Sequence, residues 1–272
     1  MKAPLLSYFG EPSIAKQLKD AIKKGTNKIY LKGLKGSAFA IAAASTIRES
    51  TKPHLVILRD KEEACYFLND IESLLNNEVF FYPASYRRPY QFEETDNTNL
   101  LLRAEVLTKL NNKRNPIIIT YPKALSEKVI SRKELKQQTI SVKKGEEITI
   151  TKIESLLTKF NFSYVDFVVE PGQFSIRGGI LDVFSYADEH PYRIEFLDNI
   201  IESIRTFDIN SQLSISLEEK ASIVPNTEAK KTNSKHVSFL EYLPKNSVIW
   251  IKDVEYTRDV LDISFKKANQ IF

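Results

Sequence analysis

The chain has 272 residues, of which 42% are hydrophobic and 27% charged, with 39 basic side chains against 35 acidic ones. That balance excludes general disorder, and the length suits roughly two domains of about 100–200 residues each. The longest run without a charged residue, Gly36 to Ile47, is too short to span a bilayer, and the first residues, Met1-Lys2-Ala3-Pro4-Leu5-Leu6-Ser7, give no secretory leader.

From Ser13 onward, helical and apolar segments alternate. Ser13 reads as the N-cap of a helix over Ile14 to Lys24, which Gly25 ends. Lys28-Ile29-Tyr30-Leu31 is expected to be a buried strand and Gly36 to Glu49 a small-residue helix. A strand at His54 to Leu58, a helix at Lys61 to Leu75, a strand at Val79 to Tyr82, a helix at Thr98 to Leu110 and a strand at Pro116 to Tyr121 follow. Strands written as continuous apolar runs between helices imply a doubly wound parallel sheet covered on both faces.

The pattern then changes. Lysines and arginines crowd Lys128 to Lys144, a helix is expected over Thr151 to Phe160, and strands split by tight turns run from Tyr164 to about Ser216. Alternation in Arg193-Ile194-Glu195-Phe196 and in Glu202 to Phe207 points to an antiparallel sheet with one wet face. Residues 227–235 read as a polar linker, followed by a helix at His236 to Leu243, a strand at Ser247 to Ile251 and a helix from Asp253. The expected organisation is an α/β domain over 1–137, an inserted α+β domain over 138–224, and a return to the α/β domain over 225–272. The chain is read as a fragment of something longer.

The slot between the expected first strand and the next helix holds Gly33-Leu34-Lys35-Gly36-Ser37-Ala38-Phe39-Ala40. A phosphate-binding loop there needs Gly-x-x-x-x-Gly-Lys-Ser/Thr: a second glycine for backbone approach, a lysine for charge and a hydroxyl for magnesium. Aligned on Gly33, those three positions carry Ala38, Phe39 and Ala40. Losing the lysine contact alone costs about 1.5–3 kcal/mol of phosphate binding, and an aromatic ring in its place occludes the cradle. The loop is therefore read as a degenerate nucleotide loop that binds no nucleotide. No cofactor is expected, and His54, His190, His236 and Cys65 give no metal-ligand spacing. With one cysteine no internal disulfide forms, which fits a reducing, cytoplasmic setting.

Together with the segment Glu170-Pro171-Gly172-Gln173-Phe174-Ser175-Ile176-Arg177-Gly178-Gly179-Ile180-Leu181-Asp182-Val183-Phe184, with Pro191 to Phe196 and with Ile204 to Asp208, this loop carries a resemblance. The chain resembles the UvrB-homology module at the N-terminus of bacterial transcription-repair coupling factors (Mfd), from about Leu31 to Pro225. The resemblance implies a degenerate, helicase-like α/β domain without ATPase activity and an inserted α+β domain that binds UvrA. It further implies downstream segments, absent here, through which the parent is an ATP-dependent DNA translocase that meets RNA polymerase and double-stranded DNA. It places partner-binding positions on Arg177, Arg193 and Leu197, the last a departure from an aromatic in the family. The residues alone leave open that the two arginines are solvated or pair with Asp182, Glu195 or Glu202.

The other expectation weighed is a UvrB-like nucleic-acid-binding module. Its candidate contacts are Tyr86, Arg87, Arg88 and Tyr90, aromatics interleaved with arginines that suit stacking and phosphate contact. Glu93, Glu94 and Asp96 weaken that footprint. No nucleophile, base and carboxylate stand at a readable spacing, so this chain is not expected to be an enzyme.

Overall fold

The computed structural model describes residues 13–25, 28–75, 77–85, 97–112, 115–227 and 236–271. In chain order the elements are α1 (Ser13–Lys23), α2 (Ala38–Ile47), β1 (His54–Ile57), α3 (Lys61–Leu74), β2 (Val79–Tyr82), α4 (Asn97–Asn111), β3 (Ile117–Thr120), α5 (Pro122–Leu125), β4 (Lys128–Ile130), α6 (Arg132–Gln138), β5 (Ile140–Lys143) and α7 (Ile150–Lys159). They continue with β6 (Ser163–Tyr164), β7 (Gln173–Arg177), β8 (Ile180–Val183), β9 (Tyr192–Leu197), β10 (Ile200–Phe207), β11 (Ser214–Glu218), β12 (Lys220–Ile223), β13 (His236–Ser238), β14 (Val248–Ile251) and α8 (Val254–Ile271). The chain divides into two compact units: Met1–Ala84 with Asn112–Glu127 and Phe239–Phe272, and Ser85–Asn111 with Lys128–Ser238.

The first unit holds a parallel sheet in the order β14-β1-β3-β2. Its central strands, His-Leu-Val-Ile and Ile-Ile-Ile-Thr, are buried at every position, which is why they read as unbroken apolar runs. Asp60 caps α3 by accepting the Glu63 amide at 2.9 Å, while the Glu63 carboxylate accepts the Arg59 amide at 3.0 Å. The expected strand at Lys28 to Leu31 does not form: that segment joins no sheet, and Tyr30 stands 87% exposed. Its apolar run, Ile29 to Leu31, is only three residues long, too short for composition alone to specify sheet pairing. The expected helix at His236 to Leu243 is corrected as well. There β13 pairs antiparallel with β4, and a single 3-10 turn, Phe239–Tyr242, follows.

The second unit is built on a six-stranded sheet ordered β11-β10-β9-β8-β7-β6, antiparallel except where β6 joins β7. Its inner face buries Phe174, Leu181, Val183, Ile194 and Ile204 against Ile153 and Leu157 of α7 and against the β5–β12 ribbon. On the outer side a smaller cluster of Val168, Phe184 and Phe207 forms under the loop that joins β6 to β7. Two glycines of the Glu170–Gly179 stretch are dictated by space. A Cβ on Gly172, which has φ +85°, would meet the Tyr186 hydroxyl at 2.5 Å, and one on Gly179 would meet the Phe196 carbonyl oxygen at 2.8 Å.

In the first unit the buried His54 Nδ1 accepts the indole N–H of Trp250 at 3.0 Å, joining β1 to β14. Burial, helped by Lys52, lowers the pKa of this imidazole from 6.5 to about 4. Below pH 6.5 the unfolded chain takes up a proton that the folded chain refuses. The contribution is therefore complete above pH 6.5 and falls away as pH drops toward 4, by an amount of order 3 kcal/mol. Urea midpoints followed by fluorescence of the single tryptophan are expected to decline through that window, and His54→Gln, which keeps an acceptor for the indole, is expected to flatten the decline.

Candidate functional site

The outer face of the six-stranded sheet carries a row of direct cross-strand neighbours: Ser175, Asp182, Arg193, Arg205 and Leu217, one from each of β7 to β11. The signal for this row lies in β8. In Ile180-Leu181-Asp182-Val183 the odd positions feed the inner core, so the strand's alternation places the aspartate on the opposite face.

Asp182 is 1% exposed, and such a carboxylate is costly unless its charge is met. Arg193 meets it with two bonds, Nε to Oδ1 at 2.8 Å and Nη2 to Oδ2 at 2.9 Å, the planar fork geometry that lysine lacks. Arg177 adds Nη2 to Oδ2 at 2.5 Å. The two arginines do not lie on neighbouring strands: β8 runs between β7 and β9, and its aspartate is the centre on which both converge. The pairing left open by the residues is thus made with Asp182. Glu195 instead accepts the Ser203 hydroxyl at 2.7 Å and pairs with Arg205, which together hold its carboxyl below the usual range. Contact with Asp182 raises the pKa of the Arg193 guanidinium.

The two arginines differ in what remains available. Arg193, 18% exposed, is further held by the carbonyl and side-chain oxygens of Gln212, both at 3.2 Å, and lies 4.3 Å over the Phe207 ring. Arg177 is 42% exposed; it donates to the Asp166 carbonyl at 3.0 Å and sits 5.1 Å from the Phe167 ring. Within these ion pairs, three guanidiniums meet two carboxylates, so the paired groups carry one positive charge in excess. Leu197 lies on this same face two residues beyond Glu195, 63% exposed, opposite the exposed Ile200, while Phe196 packs against the inner core. Arg177, Arg193 and Leu197, the positions expected from the resemblance, thus lie on one face of the sheet. Sequence reasoning missed Gln212, Phe167 and the organising role of Asp182.

The loop before α2 presents positive φ at Gly33 (+86°) and Gly36 (+54°), with Gly36 and Ser37 exposed. Ser37 makes no side-chain cap bond; Ala38 opens the helix and Ala40 is buried in it. Phe39 packs its ring 5.1 Å from Phe67 and 6.2 Å from Trp250, so this position serves the packing of α2 rather than the loop. Tyr86, Arg87, Arg88 and Tyr90 lie outside the described residues. Among the described residues, no group of three or more His, Cys, Asp or Glu side chains could hold a metal, and no helix is long and apolar enough to cross a membrane.

Residues 140–228 match the family model of the UvrB interaction domain. The chain is 27% identical over 223 residues to the transcription-repair-coupling factor of Bacillus subtilis, covering 82% of this chain and 19% of that protein. With the Escherichia coli K12 transcription-repair-coupling factor the identity is 26% over 207 residues, covering 76% of this chain and 18% of the relative. With UvrABC system protein B of Francisella tularensis it is 24% over 249 residues, covering 86% and 37%. The chain thus spans about a fifth of the coupling factors it matches and little more than a third of that UvrB. The resemblance read from the sequence is borne out.

Two outcomes follow for the sheet. Asp182→Asn leaves both guanidiniums without their anion and is expected to lower stability by about 2–4 kcal/mol in denaturation followed by circular dichroism. Gly179→Ala pushes a methyl group into the β9 backbone and is expected to cost about 1–3 kcal/mol by the same measurement.

Proposed function

We propose that this chain is a non-catalytic adaptor that docks UvrA through the outer face of its six-stranded sheet, within transcription-coupled nucleotide excision repair. The observation that carries the reading is the Arg177–Asp182–Arg193 cluster, with its excess positive charge, inside the segment that matches the UvrB interaction domain. Arginine forks held by a fixed counter-ion are preorganised for carboxylates on a partner, and arginines near the centre of an interface are frequent hot spots. Arg177 is the more available of the pair, Arg193 sets its position through Asp182, and Leu197 with Ile200 supplies apolar area at the side. In the full-length parent, RNA polymerase and double-stranded DNA would be met by segments outside this chain.

The α/β unit is proposed to keep a helicase-like shape without nucleotide chemistry. Phe39 at the lysine position, engaged with Phe67 and Trp250, supports this. Added ATP is accordingly expected to leave the thermal unfolding midpoint unchanged. The UvrB-like nucleic-acid-binding reading is favoured by the likeness to UvrABC system protein B and predicts salt-dependent DNA binding lost on replacing Arg87 and Arg88.

Calorimetric titration with UvrA tests the adaptor reading. Arg177→Ala is expected to weaken binding about tenfold or more with little change in the unfolding midpoint, because one side of that guanidinium faces water. Arg193→Ala is expected to weaken binding and also to lower stability, because it strips Asp182 of its forked partner. Unchanged binding by the double variant would overturn the site assignment.

A further inference from the structure

The geometry points to Phe167 as an aromatic anchor of the same docking face, inserting its ring into an apolar pocket on the partner that is flanked by carboxylates. The inference rests on the adaptor reading.

Phe167 is 63% exposed, yet the loop that carries it is fixed on both sides. The Val165 amide donates to the Phe174 carbonyl at 2.9 Å, and the Asp166 carbonyl accepts both the Ser175 hydroxyl at 3.1 Å and Arg177 Nη1 at 3.0 Å. Beyond the ring, the amides of Val169 and Glu170 both donate to Gln173 Oε1, at 2.9 and 3.0 Å. Val165 and Val168 turn inward to pack with Phe184 and Phe207. Five of the six residues from Val165 to Glu170 are therefore tied down, and the sixth is a phenylalanine turned out into water beside the most exposed arginine of the cluster.

A single exposed aromatic is ordinary on a protein surface. This one is set apart by its fixed backbone and by the guanidinium 5.1 Å from its ring. Stacking orients the ring without covering it, so little conformational freedom is lost when a partner closes over it. Aromatic and arginine side chains are the types enriched where interfaces hold most of their energy. The pair also defines the partner's chemistry. The positive edge of the cluster asks for carboxylates, and the ring beside it asks for a dry cavity. Leu197 and Ile200 lie on the same face of the sheet and extend the apolar area.

Calorimetric titration with UvrA decides it, using Phe167→Ala, Phe167→Tyr and Phe167→Ala combined with Arg177→Ala, each checked for an unchanged unfolding midpoint. Phe167→Ala is expected to weaken binding roughly tenfold to thirtyfold, and Phe167→Tyr to stay within about threefold of the original chain. Because the ring touches the partner itself, Phe167→Ala is expected to weaken binding further in the Arg177→Ala background. An effect that vanishes there would reduce Phe167 to a positioning residue and overturn the anchor. Binding by Phe167→Ala within twofold of a tightly binding original chain would overturn this inference and leave the adaptor reading standing. Absence of binding by the original chain would remove both.

Discussion

A carboxylate sealed inside a sheet surface has to be neutralised where it stands, and the outer face of the six-stranded sheet is arranged around that demand. Asp182 accepts three charge-assisted bonds from two guanidiniums that arrive from the strands on either side. Removing Asp182 or its forked partner Arg193 leaves charge unmet inside the sheet surface, so these two side chains act as one unit, with Arg177 added at the wet edge. One aspartate cannot offset two arginines, and the surplus falls on Arg177, whose other side faces water. Two residues of the same type thereby differ in how much of their charge is taken up inside the fold. Arg193, bound to Gln212 and stacked on Phe207, secures the fold, and Arg177 stays available.

The α/β unit obeys a different constraint. Its central strands are buried on both faces, so the elements that cover them must be apolar where they touch. Phe39 answers to that rule. Whatever chemistry its position could carry in a phosphate loop, here its ring belongs with Phe67 and Trp250, and the glycines ahead of it shape a turn at the surface. His54 makes the same point from the polar side. Its buried imidazole bonds to an indole, and its Nε2 has no hydrogen-bond partner among the described residues.

Much of this was legible in the residues. Continuous runs such as Ile117-Ile118-Ile119 announced central parallel strands, and the alternation in β9 separated Phe196 from Leu197 correctly, because both signals follow directly from which faces are dry. Lys28 to Leu31 misled because three successive apolar residues meet a compositional test, while the segment pairs with no strand. The segment after His236 misled because its periodicity suits a helix, while the pairing with β4 depends on residues about a hundred positions earlier. The convergence on Asp182 had a local hint, an acid inside an apolar strand, but strand order is a long-range property that no window of sequence contains. Phe167 gave no signal. Its exposure comes from side chains on β7 that pin the loop around it.

The division of the chain has a temporal side. The backbone passes from one compact unit to the other at Ala84, Asn111, Glu127 and Ser238, so neither unit is a single stretch of sequence. On a ribosome that emits the chain from its amino end, β1 waits for β14 until some two hundred residues have emerged, leaving one side of an apolar strand uncovered meanwhile. The six-stranded sheet closes earlier, since all its strands lie between Ser163 and Glu218. Synthesis thus delivers every strand of the arginine-bearing sheet before the last strand of the parallel sheet has been made.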